Sequence, residues 1–123
     1  MGSGVKSEDV IGRIRAICLA MPEAKEQPFG GHTAPSFRVR EKLFVTTYED
    51  GSAMCFKAGP GVQQVLVGSN PKRFFVPAYV GNKGWVGMKL DGKLDWDEVR
   101  ELIEDSYRII APKRLAEGLG ISD

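Results

Sequence analysis

Three short segments in the middle of the chain constrain the fold more than any other part of the sequence. Residues 36–40, 42–48 and 53–57 each have the composition and the alternating apolar and polar positions of a β-strand. Glu41 leaves room for only a tight turn between the first two segments, and Asp50 with Gly51 is a hairpin signal between the second and third. The sequence therefore predicts an antiparallel meander of three strands.

Three other segments have the apolar spacing of amphipathic helices. Ser7 can cap the first helix, which stops at Pro22. The Gly59–Pro60–Gly61 stretch introduces a short second helix. Asp95 and Glu98 form a pair resembling a capping box at the start of the third.

Two further strands are predicted at residues 74–78 and 85–90, and residues 113–119 form an extra turn or tail after the third helix. The predicted order is α-β-β-β-α-β-β-α, with residues 25–35 forming a loop without regular structure because glycine and proline interrupt it. Runs of hairpin-connected strands favour a two-layer α+β domain, in which helices pack on one face of an antiparallel sheet of about five strands.

The length of the chain and its apolar content bound its organisation. With 123 residues and 42% hydrophobic residues, it is long enough for one domain, which we assign to residues 7–119. Residues 1–6 are expected to be a disordered segment or a cloning remnant. No apolar run approaches the length of a membrane span, and the first residues lack the apolar region of a signal peptide, so we expect a cytoplasmic protein without a membrane partner.

Few residues are available for catalysis or metal binding. The only histidine, His32, lies in a loop rich in glycine and proline, and neither a nucleophile elbow nor a phosphate-binding glycine motif occurs. Cys18 and Cys55 have no metal-ligand spacing and suit a reducing compartment. The sequence favours a non-enzymatic domain with no metal and no cofactor.

Basic residues interleaved with aromatic residues in the sheet region are compatible with nucleic-acid binding. The net charge of +1 is weak, so any binding to DNA needs a local cationic patch. The alternative interpretation is an ordinary solvated surface, because alternation turns Arg38 and Arg40 outward for packing reasons alone. The candidate residues for nucleic-acid binding are Arg38, Arg40, Lys42, Lys57, Asn82, Lys83, Trp85 and Lys89.

Trp85 is the residue that most needs an explanation. Alternation places Val86, Met88 and Leu90 on one face of their strand, and Trp85 on the other face with Lys89. If helices cover the first face, the indole of Trp85 lies on the open one. It is then either a contact residue or an anchor over which the preceding loop folds.

Three stretches, read in order, carry a resemblance to a known family: "PFGGHTAPSFRVREKLFV", "RFFVPAYVGNKGWVGMKLD" and "DWDEVRELIEDSYRIIAPKRL". In their order and separation they resemble the MmcQ/YjbR-like proteins over residues 8–118. The resemblance implies a compact fold like that of frataxin/CyaY or secretion chaperones, with two β-hairpin wings, and it implies DNA binding. The first wing is then the hairpin of residues 42–57, and the second holds Asn82, Lys83 and Trp85.

Three functions follow as expectations. The first is a non-enzymatic domain that contacts the phosphates of double-stranded DNA through two hairpin wings. The second is a protein-interaction module resembling a chaperone-type homodimer. The third is a small-ligand binder, in which the loop holding Phe29 and His32 lies over the sheet beside Trp85.

Overall fold

A computed structural model of the chain describes residues 7–27, 34–78 and 80–120. These residues form six strands, four α-helices and a 3₁₀ helix. The strands are β1 (Ala24–Glu26), β2 (Ser36–Val39), β3 (Lys42–Thr47), β4 (Ala53–Lys57), β5 (Phe74–Phe75) and β6 (Trp85–Lys89). The helices are α1 (Ser7–Leu19), α2 (Val62–Ser69), α3 (Trp96–Ile110) and α4 (Lys113–Gly120), and the 3₁₀ helix is Gly81–Lys83.

The six strands form one sheet in the order β1-β2-β3-β4-β6-β5, and every neighbouring pair is antiparallel. The predicted two-layer α+β fold is confirmed, as is the order of its five expected strands and three main helices. The sheet has one strand more than expected, since β1 lies in a segment predicted to lack regular structure. β1 forms because it pairs in full with β2. The predicted disorder of residues 1–6 lies outside the described residues.

The turn between β2 and β3 has two residues, although neither is a residue type that favours such a turn. Val39 pairs directly with Lys42, so only Arg40 and Glu41 connect the two strands. Both have left-handed backbone conformations, with φ of 49° and 73°. Two successive positive φ angles define a type I′ hairpin turn, which normally uses Asn-Gly.

The core lies between one face of the sheet and the helices α1 and α3. Tyr107 of α3 packs edge-on against Phe44 of β3, with ring centroids 5.4 Å apart. Ile14 of α1 and Ile103 of α3 are fully buried in the same cluster. The prediction that helices pack on one face is therefore confirmed. Fully buried sheet residues in this core are Phe37, Val39, Phe44, Val45, Met54 and Val86.

The start of α3 has the expected cap, whereas Ser7, expected to cap α1, is the first residue of that helix, which ends at Leu19 and not at Pro22. The carboxylate of Asp95 accepts hydrogen bonds from the backbone N–H groups of Asp97 (3.1 Å) and Glu98 (3.2 Å) at the start of α3. Pro112 separates α3 from α4, so the predicted extra turn is a short helix. Within the described ranges, every helix is too short or too polar to cross a lipid bilayer.

Candidate nucleic-acid interface

The strand residues that point away from α1 and α3 form the second face of the sheet. Strand register places Lys25 opposite Arg38, Lys57 opposite Trp85, and Lys89 opposite Ala53 on this face. Alternation along the six strands puts no carboxylate on this face among the described strand residues. The face therefore has four cationic side chains and no anionic partner within the strands.

Seven of the eight residues predicted to bind nucleic acid meet at one end of the sheet. This end is formed where β2 leads into β3, where β4 ends and where β6 begins. Lys89 is the exception, because it lies at the opposite end of β6. We call this region the basic end, and its cationic side chains are Lys25, Arg38, Arg40, Lys42, Lys57 and Lys83.

Lys25 is the member of the basic end that sequence analysis missed. Its segment was predicted to be an irregular loop, which gives no indication of the direction in which a side chain points. Pairing of Lys25 with Arg38 in β2 brings it onto the second face. An alternation signal could not have found it, because β1 has only three residues.

One carboxylate of the basic end is held by an arginine. Arg40 donates from Nε and Nη2 to the two carboxylate oxygens of Glu23, at 2.5 and 3.1 Å. This hydrogen bonding lowers the pKa of Glu23 and raises the pKa of Arg40. Arg40 is thus partly neutralised, whereas Lys42 and Lys83 form no ion pair with any described residue and are exposed.

Two backbone carbonyl groups orient cations at the same end. Arg38 donates from Nη1 to the carbonyl oxygen of Glu41 at 2.9 Å. Lys57 donates from Nζ to the carbonyl oxygen of Lys83, just before β6. Each contact uses one N–H group, so both side chains keep further donors for a ligand.

Of the two alternatives for Trp85, the exposed contact residue does not hold, since Trp85 is only 9% exposed. It does lie on the second face, as alternation predicted, and it is not a member of the main core cluster. Gln63 of α2 donates to the Trp85 carbonyl oxygen at 2.8 Å and to that of Gly81 at 2.7 Å. The geometry therefore favours the second alternative, in which Trp85 anchors the 3₁₀ helix that precedes it.

The tip of the first predicted wing is acidic. β3 and β4 are both interior strands of the sheet, and the turn between them includes Glu49 and Asp50. The Ser52 hydroxyl and backbone N–H lower the pKa of Asp50, so its carboxyl is ionised at neutral pH. Because these carboxylates would repel phosphate, the basic residues at the other end of this hairpin are better placed to contact DNA.

A groove of about 700 Å³ lies at the acidic opposite end of the sheet. Tyr48, Phe75 and Lys89 line it, together with Asp50 and Asp91. Trp85 does not contribute to it. The predicted ligand-pocket residues Phe29 and His32 lie outside the described residues.

Neither cysteine has the environment of a nucleophile. Cys18 and Cys55 are both buried and free. Burial raises the pKa of Cys55 to about 11 and raises that of Cys18 further. In the described ranges, no group of three or more histidine, cysteine, aspartate or glutamate side chains is arranged to hold a metal ion.

Comparison with known proteins identifies relatives at the level of family and fold. A family model described as YjbR matches residues 19–109. A Deinococcus radiodurans protein with a DUF419 domain is 21% identical, with a TM-score of 0.73 over 81% of this chain and 77% of its own. A Pseudomonas syringae protein is also 21% identical, with a TM-score of 0.52 over 72% of this chain and 88% of its own. No curated protein matches the sequence significantly.

Proposed function

The chain belongs to the YjbR family, and we propose that it is a non-enzymatic protein that binds the phosphates of double-stranded DNA through the basic end of its sheet. The contacts come from the turn between β2 and β3, the end of β4, and the 3₁₀ helix before β6. These are the basic ends of the two predicted wings. A cytoplasmic location is part of the proposal, because two free buried cysteines suit a reducing compartment.

The segregation of charge along the sheet is the observation that carries this proposal. The basic end has six cationic side chains. Arg40 holds the carboxylate of Glu23, and the carboxylates of Glu41 and Asp105 also lie at this end. The opposite end has Asp50, Asp91 and the acidic start of α3, mixed with the cationic Lys72, Arg73, Lys89 and Lys93. A protein with a net charge of +1 can therefore present a local cationic surface to DNA.

The direction of α3 fits the charges at its two ends. α3 starts after β6, at the acidic end, and runs back until the Tyr107 hydroxyl donates to the Pro22 carbonyl oxygen near β1. Asp97 and Glu98 lie in its first turn and Arg108 in its last. Each of these charges interacts favourably with the helix dipole at its own terminus. The same charges therefore also stabilise α3.

Fluorescence anisotropy with a labelled DNA duplex at several salt concentrations tests the proposal. Phosphate contacts release counterions, so log K should fall linearly with log salt concentration, with a slope of about −0.9 for each phosphate neutralised. The test variant is Lys42→Glu with Lys83→Glu, since both lysines are exposed and form no ion pair with described residues. We expect this variant to lose most of the affinity and to have a shallower slope.

The matched control is Lys72→Glu with Lys93→Glu, which makes the same charge change at the opposite end of the sheet. Both lysines are exposed. Arg73, next to Lys72 in the sequence, donates to the carbonyl oxygens of Lys89 and Lys93, which places both lysines at the end of the sheet where Lys89 lies. The control should retain most of the wild-type affinity. Equal losses in both variants, or no binding of the wild type at low salt, would refute the proposal.

A homodimeric interaction module is the second candidate function. Val65 of α2 is 66% exposed and Val76, after β5, is 54% exposed. α2 has no charged residue and no buried residue, which is unusual for a helix that contacts only its own chain. Light scattering tests this alternative: Val65→Asp should convert a dimer to a monomer, and a monomeric wild type would exclude it.

A further inference from the structure

Lys25 and Arg38 are like charges placed directly opposite each other across two strands. Their register in the β1–β2 pair brings both side chains onto the second face of the sheet. Directly opposed residues in an antiparallel pair have Cβ atoms about 5 Å apart, and like charges at this distance destabilise the pair. Lys25 forms no ion pair with any described residue, and the hydrogen bond of Arg38 goes to an uncharged carbonyl group. The carboxylate of Glu23 attracts Lys25 but is held by two hydrogen bonds from Arg40, so it compensates this repulsion only in part.

The two side chains line a groove of about 290 Å³ at the edge of the basic end. Gln27 also lines it and adds a side-chain amide donor. The lining includes the carboxylates of Glu23 and Glu41. Arg40 holds Glu23 through two hydrogen bonds, so this carboxylate is already occupied.

Arg38 is held in place before any ligand arrives. Its Nη1 is fixed by the Glu41 carbonyl oxygen at 2.9 Å, in the turn where Arg40 and Glu41 both have positive φ. A guanidinium fixed through one nitrogen keeps the rest of its donor fork for oxygen atoms. A compact oxyanion between Arg38 and Lys25 would accept from both and remove their repulsion.

We propose that this groove binds a single phosphoryl group, through the guanidinium of Arg38 and the ammonium of Lys25. This inference rests on the proposed function and deepens it, because it names one phosphate subsite within the basic end. The shared chemistry is a tetrahedral phosphate oxyanion. It can come from a phosphodiester of DNA or from a free phosphate, and the two sources are separated by experiment.

Thermal unfolding of the whole chain in inorganic phosphate, compared with chloride at equal ionic strength, tests this subsite. Phosphate should raise the wild-type Tm by about 3 °C or more above the chloride value, because a ligand that binds only the folded state stabilises it. Lys25→Gln should lose most of this difference. In chloride its Tm should equal or exceed that of the wild type, because the variant removes the like-charge repulsion.

Lys42→Gln is the matched control, since Lys42 is an exposed lysine of the same end that does not line the groove. It should keep the phosphate-specific shift. Arg38→Lys keeps the charge but lacks the planar donor fork, and it should lose most of the shift. Equal Tm values of the wild type in phosphate and chloride would overturn the inference, as would a full shift in Lys25→Gln.

Duplex DNA distinguishes failure of this inference from failure of the proposed function. If DNA binds with a steep salt dependence but Lys25→Gln binds as tightly as Lys42→Gln, the subsite is wrong and the proposed function stands. If inorganic phosphate gives the expected shifts but the duplex does not bind, the groove takes free phosphate compounds and the proposed function is wrong. Duplex binding of all variants is measured by anisotropy with the same labelled duplex, and the phosphate shift is measured by thermal unfolding.

Discussion

The Ser106 hydroxyl donates a 2.6 Å hydrogen bond to the carbonyl oxygen of Phe44 across the interface between α3 and β3. The hydroxyl oxygen of Ser106 in turn accepts from the backbone N–H of Lys57 at 2.9 Å. Phe44 is the extra residue of a β-bulge, since Phe37 pairs with Val45 while Arg38 pairs with Leu43. Ser106 thus bridges β3 and β4 next to their last direct pair, Val45 and Phe56, and it fixes the backbone of Lys57 at the basic end.

Ser106→Ala should reduce the free energy of unfolding by about 3 kcal/mol. The substitution leaves a buried N–H and a buried C=O without partners, and each such group costs about 1–3 kcal/mol. Urea denaturation measures the loss. Ser69→Ala, at an exposed position in α2, is the control and should change stability by less than about 0.5 kcal/mol. A similar small loss for Ser106→Ala would show that the bridge does not stabilise the bulge.

Gly87→Ala should destabilise the protein by about 1–3 kcal/mol, because the space above Gly87 is filled by the ring of Phe75. A Cβ atom at this position would lie 2.2 Å from Cζ of Phe75. In a double-mutant cycle with Phe75→Ala, the combined loss should be smaller than the sum of the single losses. Additive losses would contradict the contact.

Gly12→Ala provides the control for that substitution. Gly12 lies within α1, and a Cβ placed there would have no neighbour within 4 Å other than its chain neighbours and the backbone of its own helix. Alanine at this helical position should stabilise the protein by up to about 1 kcal/mol. Urea denaturation measures the change in the free energy of unfolding for both variants. A gain at Gly12 and a loss at Gly87 would separate the packing effect from the general effect of replacing glycine.

Glu41→Gly should raise both stability and DNA affinity. Glu41 has φ of 73°, which glycine adopts without the steric cost of a Cβ atom, so the gain should be about 0.5–1 kcal/mol. The variant also removes a carboxylate from the basic end. Glu41→Gln should raise affinity alone, since it removes the charge but keeps the Cβ atom. Lower affinity in both variants would contradict the placement of the DNA site.

The thiol of Cys55 should make stability depend on pH in the alkaline range. Burial raises its pKa from 9.0 to about 11, so the folded state holds its proton more tightly than the unfolded state does. Its contribution is complete below about pH 9 and is lost as the pH rises through about 11. Tyr48, Tyr107 and Cys18 have raised pKa values and act in the same direction.

Urea denaturation under reducing conditions at pH 8 and pH 10.5 measures this effect. The decrease in the free energy of unfolding between the two pH values should be about 1–2 kcal/mol smaller in Cys55→Ala than in the wild type. The remaining decrease in the variant includes the contributions of Tyr48, Tyr107 and Cys18. An identical decrease in both proteins would show that the Cys55 thiol titrates alike in both states.

Most of the fold could be predicted because its signals are local. The three central strands follow from alternation and from turn residues such as Asp50 and Gly51, and α3 begins at the cap expected from Asp95. β1 could not be predicted in this way. Its three residues have little intrinsic strand preference, and β1 exists because β2 offers it an edge to pair with.

The candidate site was predictable in part for the same reason. Alternation placed Arg38, Trp85 and Lys89 on the correct face, because it depends only on the period of a strand. The burial of Trp85 depends on the neighbours that the fold brings to it, including the 3₁₀ helix before β6. The convergence of the cations depends on strand order and register, which no local pattern contains.

An NMR titration of the ¹⁵N-labelled protein with a DNA duplex tests the central claim most directly. Backbone amide shifts should change most at the basic end, in Lys25, Arg38, Lys42 and Lys83, and should change little at the turn formed by residues 49–52. If no amide chemical shift changes at low salt, or if the changes are concentrated at that acidic turn, the account is contradicted.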